Sequence, residues 1–121
     1  MSFYNLLLLH ILYSLLYSIS RKSLTKTSKA LSNKTRLEIL FWLKDPESHF
    51  PTQHIRGHYD DGVCVQYIGA KSGLSLSTIS HYLSMMQKAG LLSSSRHGKW
   101  TYYKRNEQAI SDYINTLKEH L

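Results

Sequence analysis

The strongest constraint on the fold is the tight turn Gly73-Leu74-Ser75, which lies between two segments with helical patterns. The segment before it, residues 63–71, predicts a short helix that stops where the turn begins. After the turn, Ser75 is a typical helix cap, and apolar residues recur at three- and four-residue spacing. These are Ile79, Leu83 and Met86. Two short helices joined by such a turn predict a helix-turn-helix.

A hairpin pattern follows the second of these helices. Ala89-Gly90 ends the helix, and residues 91–105 then predict two strands around His97-Gly98. Aromatic residues alternate on the return strand from Trp100, so some of them must pack inward. We therefore expect a mainly α (α+β) fold, a winged helix-turn-helix near residues 63–104 with a two-stranded wing.

The outer face of the second helix carries short hydroxyl side chains, which can donate or accept at phosphates and base edges in a DNA major groove. The candidate DNA-binding residues on this helix are Ser75, Leu76, Ser77, Thr78, Ser80 and His81. At the tip of the wing, cations are placed to reach the phosphate backbone or the minor groove. These are Arg96, His97 and Lys99. A solvated basic turn is the alternative interpretation of the tip.

The charge balance favours a polyanionic partner. Fifteen Lys and Arg oppose eight Asp and Glu, which gives a formal net charge of +7, and both double-stranded DNA and an anionic membrane surface suit that sign. The single cysteine, Cys64, excludes an intrachain disulfide framework and a multi-thiolate metal site within one chain. A reducing, cytoplasmic location fits this composition.

Residues 3–19 form an apolar run at the lower edge of the roughly 17–25 residues that span a bilayer. The run lacks a basic leader and a cleavage site, so we do not expect a secretory signal. A polar stripe at His10, Ser14 and Ser18 favours a helix that packs in a dimer. A membrane segment, or a mis-assigned start with no folded role, are the alternatives. We divide the chain into this helix, residues 1–21, and a DNA-binding domain, residues 22–121.

Two further helices and a loop complete the prediction. Ser32-Asn33 caps a helix over residues 34–44, and Pro46 helps to end it. Residues 46–62 lack periodicity and predict a long loop. Residues 107–121 place apolar side chains on one helical face, and pairing of that face with its own copy predicts a homodimer.

Four segments resemble the ArsR/SmtB family of winged-helix repressors: residues 30–37, 73–83, 89–91 and 98–103. The resemblance covers residues 24–120. It implies a homodimer built from the first and last helices, an inverted-repeat operator, and release of that operator by a small molecule or ion of unknown identity. It also implies DNA contacts from Ser77, Ser80 and His81. Leu76 and Tyr82 depart from residues common in the family, so the operator sequence does not transfer, and Leu76 can instead contact a thymine methyl group.

Sensor sites of the family match this chain poorly. Cys64 stands at one thiolate position, but Gln66 replaces the second, and one thiolate per chain cannot build a three-sulfur site. Near the end of the chain, Glu107 and His120 match zinc-sensor positions, but Ala109 does not. We therefore expect no cofactor and interpret Cys64 as a buried apolar residue, with a lone redox-reactive thiol as the alternative.

A weaker metal candidate lies in the loop over residues 46–62. Its imidazole and carboxylate groups suit zinc, but no regular spacing on a helix arranges them. They are His49, His54, His58, Asp60 and Asp61.

Three classes of function remain. The first, which we favour, is a non-enzymatic, DNA-binding transcriptional regulator. The second is a membrane-tethered or peripheral signalling module anchored by residues 3–19. The third is a small metallohydrolase that uses the loop histidines with Asp60 as a general base, but no paired catalytic motif supports it.

Overall fold

The computed structural model describes residues 3–51 and 57–121, with the side chains in these ranges except those of residues 17–20. The elements, in chain order, are α1 (Phe3–Ala30), α2 (Lys34–Lys44), α3 (Pro46–His49), β1 (Val63–Cys64), α4 (Val65–Ser72), α5 (Leu76–Lys88), β2 (Leu92–His97), β3 (Trp100–Arg105) and α6 (Glu107–His120). The predicted mainly helical winged helix-turn-helix is confirmed.

The wing is part of a three-stranded antiparallel sheet with the order β1-β3-β2. Strands β2 and β3 pair from Leu92 opposite Arg105 to His97 opposite Trp100. The prediction of a helix starting at Val63 is wrong, because Val63 and Cys64 pair with β3 and α4 begins only at Val65.

Gly62 makes this third strand possible. Its φ is +98°, and a Cβ atom there would lie 2.1 Å from the carbonyl oxygen of Tyr103 on β3. Any side chain would therefore push β1 away from the sheet.

The core lies between α2, α4, α5 and the sheet. The three periodic residues of α5 are fully buried, as the spacing predicts, and Ile39 and Ile68 join them from α2 and α4. Among the β3 aromatics, Tyr102 is buried, whereas Trp100 and Tyr103 are half-buried.

Helix α2 has the predicted bounds, and the side chain of its cap, Asn33, accepts a hydrogen bond from the Arg36 backbone N–H. The predicted loop over residues 46–62 contains a short helix, α3, because Pro46 occupies its first position. Phe50 then packs edge-on against Trp42 and enters the core.

Helix α1 continues without interruption across residue 21, the predicted boundary between the N-terminal helix and the DNA-binding domain. Near its end Thr27 and Ala30 are buried, and the Ser28 hydroxyl lies 2.8 Å from the Tyr113 hydroxyl of α6. Residues 3–16 are exposed. In the part of the chain that the structure describes, α1 is the one helix with the length and hydropathy of a membrane span. Its most apolar 18 residues have a mean hydropathy of 1.4, and none of that window is buried.

Candidate nucleic-acid interface

The turn between α4 and α5 is fixed by local hydrogen bonds. Gly73 adopts the left-handed conformation (φ +71°, ψ 4°), and its N–H donates to the Gly69 carbonyl at 3.2 Å. The Ser72 hydroxyl donates to the same carbonyl and accepts from the Leu74 N–H at 3.1 Å. The turn therefore sets the angle between α4 and α5.

Ser75 begins α5 as its cap. Its Oγ accepts from the Thr78 backbone N–H at 3.2 Å and lies 2.8 Å from the Thr78 hydroxyl. The Ser77 hydroxyl is 3.3 Å away on the other side. The first turn of α5 is thus a cluster of three hydroxyls at the positive end of a helix dipole, an arrangement that suits contact with a phosphate group.

The first two turns of α5 present an outer face on the side opposite the core. Ser77, Ser80 and His81 are exposed, and Thr78 is half-buried. Leu76 is 50% exposed even though it is apolar. The structure therefore leaves five of the six predicted recognition residues exposed near the start of α5, with Thr78 half-buried among them.

At the wing tip, Arg96 and Lys99 point to solvent. Both residues are exposed, and the Arg96 Nε donates to the Gly98 carbonyl at 3.2 Å. The Lys99 Nζ lies 5.3 Å from the centroid of the Trp100 ring. These contacts leave both charged groups at the surface of the hairpin.

His97 is placed differently from the other two wing residues. Its ring packs edge-on against Tyr102 with 5.4 Å between centroids, and its Nε2 lies 3.1 Å from the Ser95 hydroxyl. The same nitrogen is 3.7 Å from a carboxylate oxygen of Asp61. His97 thus connects the wing to the loop before β1.

Burial raises the pKa of Tyr103 above its usual range. Burial, with smaller effects from Tyr67 and Glu47, also raises the pKa of Tyr59 in the loop before β1. Both phenols are neutral at physiological pH, so the charge of the wing comes from its Arg and Lys side chains.

Two arginines that join elements of the domain were not singled out from the sequence. Arg36 is 8% exposed, and its Nε donates to the Ala30 carbonyl at 2.6 Å. Arg105 donates to the Leu40 carbonyl at 3.0 Å and forms a two-pronged ion pair with Glu107. The position of Arg36 three residues after a capping Asn was the available signal, but it did not show which carbonyl the side chain reaches.

The loop histidines do not assemble a metal site in the described residues. His58 and Asp60 are close, with Nδ1 and Oδ2 3.6 Å apart, but no group of three His, Cys, Asp or Glu side chains in residues 3–51 and 57–121 is arranged to hold a metal ion. His49 is exposed at the end of α3, and the predicted ligand His54 lies outside the described residues. Cys64 is 6% exposed on β1.

Comparison with known sequences finds transcriptional regulators. No family model matches the chain. An uncharacterised HTH-type transcriptional regulator of Bacillus subtilis, YbzH, is 45% identical over 93 residues, which cover 77% of this chain and 93% of YbzH. A protein described as an arsenical resistance operon repressor of Halobacterium salinarum, ArsR2, is 35% identical over 64% of this chain and 55% of its own length.

Solved structures show the same fold. The crystal structure of an ArsR family transcriptional regulator superposes with a TM-score of 0.63 at 15% identity, covering 82% of this chain and 87% of that one. The solution structure of a homodimeric winged helix-turn-helix DNA-binding domain from Mycobacterium bovis has a TM-score of 0.59 at 22% identity, covering 85% and 83%. The geometry of the turn, α5 and the wing is therefore that of a known DNA-binding fold.

Proposed function

Because the chain belongs to the ArsR family of winged helix-turn-helix transcriptional regulators, we propose that it is a repressor that acts in the cytoplasm, binds an inverted-repeat operator as a homodimer and releases it when a ligand binds. The relatives are regulators, so the chain is not an enzyme. The observation that best supports the proposal is the exposed face at the start of α5, where hydroxyls and an imidazole surround a capped helix end.

In the proposed complex, the N-terminal half of α5 enters the major groove. Ser80 and His81 lie one turn in from the cap, at the depth where side chains reach base edges. The hydroxyls of Ser75, Ser77 and Thr78 are closer to the helix end, where backbone N–H groups and the helix dipole favour a phosphate. The two groups of residues thus have different tasks, base readout and positioning.

The wing supplies sequence-independent contacts in this proposal. Arg96 and Lys99 are exposed cations on a short hairpin, so each can neutralise one phosphate beside the groove that α5 occupies. His97 remains a predicted contact, and its packing on Tyr102 supports a role in holding the tip in shape.

The proposed dimer joins the end of α1 and α6 to the same elements of a second copy. On α6, Ile114 is 48% exposed, and Ile110, Tyr113 and Leu117 are half-buried along the same helix. A two-fold dimer presents two copies of α5 to successive major grooves, about 34 Å apart. An inverted-repeat operator follows from that symmetry.

The position of Cys64 bears on which ligand releases the operator. One buried thiol, Cys64, does not supply the several thiolates that soft metal ions require. We therefore propose release by a small molecule or ion that this cysteine does not bind.

Selection of duplexes from a random pool tests the proposal. The full chain, kept in a non-ionic detergent so that the apolar part of α1 does not aggregate, should enrich an inverted repeat with half-sites about 10 base pairs apart. The matched control is the double variant Ser80→Ala/His81→Ala, which should enrich the inverted repeat much more weakly. Failure of the wild-type chain to enrich any sequence would contradict the proposed function. Release of the selected duplex by metals, oxidants or persulfides is then measured with the same protein.

A further inference from the structure

Apolar side chains lie around the whole circumference of the first half of α1, although His10 and Ser14 form a narrow polar stripe on it. Successive residues in an α-helix are rotated by 100°, so the four consecutive leucines Leu6 to Leu9 span nearly the whole circumference. Their exposed fractions are 56%, 46%, 56% and 55%. Ile11, Leu12, Leu15 and Leu16 continue the pattern, each at least 45% exposed. No other part of the chain that the structure describes covers this surface.

The distribution of apolar residues around α1 distinguishes a second protein helix from a lipid bilayer as its partner. A second protein helix buries one stripe and leaves the opposite side in water. Pairing with a second copy would therefore leave half of the leucines exposed. A lipid bilayer surrounds a helix completely, so it would remove the apolar side chains on all sides of residues 3–16 from water.

The charges of α1 fit the same partner. The helix contains no acidic residue, and four basic residues follow its apolar part. They are Arg21, Lys22, Lys26 and Lys29, all exposed. Basic side chains directly after an apolar helix bind anionic lipid headgroups and remain on the cytoplasmic side of the membrane.

The length of the apolar part is sufficient. Residues 3–19 rise about 25 Å at 1.5 Å per residue, close to the hydrocarbon thickness of a thin bilayer. Phe3 and Tyr4 lie at the far end, where aromatic rings favour the interface. The hydroxyl of Ser14 can bond to the helix backbone within the membrane. His10 is the one imidazole in this stretch, and eight exposed leucines and isoleucines surround it in sequence.

The join to the domain is compatible with simultaneous DNA binding. The last turns of α1 line a cavity of about 200 Å³ together with Ala89 and Leu91, which follow the C-terminal end of α5. The proposed DNA-reading residues are at the opposite end of the 13-residue α5.

We propose that residues 3–19 anchor this regulator in an anionic bilayer, with the helix-turn-helix on the cytoplasmic side. This inference does not depend on the identity of the operator.

Flotation with lipid vesicles tests the anchor. The full chain is reconstituted from detergent into vesicles of phosphatidylethanolamine and phosphatidylglycerol and centrifuged in a density gradient containing 1 M NaCl. We expect the chain to float with the lipid, because salt removes proteins held by charge alone but leaves an inserted helix in place. Proteolysis of membranes from cells that express the chain should cleave the winged domain only from the cytoplasmic face.

Two variants separate insertion from other effects. Leu8→Asp/Leu12→Asp should lower the floated fraction by roughly tenfold or more, since carboxylates are strongly disfavoured at the centre of a bilayer. The matched control Leu8→Val/Leu12→Val should float like the wild type. Neither pair touches the domain core, and an unchanged melting curve of the domain checks this. A wild-type chain that stays at the bottom of the gradient, as a soluble dimer or as an aggregate, would overturn the membrane anchor and leave DNA binding unaffected.

Discussion

The guanidinium carbon of Arg36 lies 4.9 Å from the centroid of the Tyr82 ring, and Tyr82 directly follows His81 on α5. The same guanidinium donates to the Ala30 carbonyl at the end of α1. One buried side chain therefore connects α1 and α2 to the recognition helix. We expect this contact to hold the rotation of α5 at Tyr82, together with the buried Ile79, Leu83 and Met86.

Replacing Arg36 by Ala should destabilise the domain by about 2–4 kcal/mol, since a buried carbonyl loses its charged donor and an aromatic face loses its cation. The midpoint of thermal unfolding, followed by circular dichroism, should fall by about 8 °C or more. Arg36→Lys should recover part of the loss, because an ammonium group keeps the charge but lacks the planar geometry. An unchanged midpoint for Arg36→Ala would show that the contact is not stabilising.

Cys64 should behave as a structural residue. Because its side chain is 6% exposed, we expect the thiol of the folded chain to react with Ellman's reagent at least about tenfold more slowly than that of the denatured chain. Cys64→Ser should change DNA affinity by less than about threefold. Rapid reaction of the folded chain, with loss of DNA binding on oxidation that the serine variant does not show, would instead identify a redox sensor.

Leu76 should contribute to base specificity through a thymine methyl group. It is the first residue of α5 and is 50% exposed, and apolar contact with the C5 methyl is a form of readout open to such a side chain. Replacing the contacted thymine by uracil should weaken binding about threefold to fivefold, the value of one buried methyl group. Leu76→Ser should bind both duplexes equally. If no thymine in the selected operator shows this effect, Leu76 does not read a methyl group.

The exposed apolar face of α6 should control dimerisation. Ile114→Lys should raise the dimer dissociation constant by about tenfold to a hundredfold, because burying an isoleucine contributes about 1.5–3 kcal/mol. Asn115→Lys, an exposed neighbour with the same added charge, is the control. Sedimentation velocity in detergent of matched density measures both. A wild-type chain that is monomeric at micromolar concentration would rule out the proposed dimer.

The local patterns of the chain were sufficient to predict α2, α5, α6 and the wing. Their caps and periodicities are short-range signals, and Ser75 and Asn33 cap the helices they were expected to cap. The wing register follows from the turn at Gly98, whose φ is +64°.

Features that depend on distant residues were not predictable from these patterns. Val63 and Cys64 have the apolar character of a helix start, and only pairing with Tyr102 and Tyr103, about 40 residues later, makes them a strand. Likewise, the sequence placed Arg96 and His97 together at the tip, but alternation along β2 turns His97 toward Tyr102. The polar stripe on α1 predicts a helix packed in a dimer, and this stays a prediction because residues 3–16 are exposed within the single chain.

Base readout and phosphate positioning respond differently to operator sequence and to salt, so two single substitutions separate them. His81→Ala should weaken binding to the selected operator by about 1–3 kcal/mol and binding to random DNA far less. Lys99→Ala should weaken both by a similar factor and lower the slope of log affinity against log salt by about one phosphate contact.

Fluorescence anisotropy of the full chain and these two variants, titrated onto both duplexes across a salt series, is the most direct measurement of whether α5 reads DNA sequence. We expect the ratio of operator affinity to random-DNA affinity to fall for His81→Ala and to stay constant for Lys99→Ala. Equal losses on both duplexes for His81→Ala would contradict base readout by this side chain and leave it as a backbone contact.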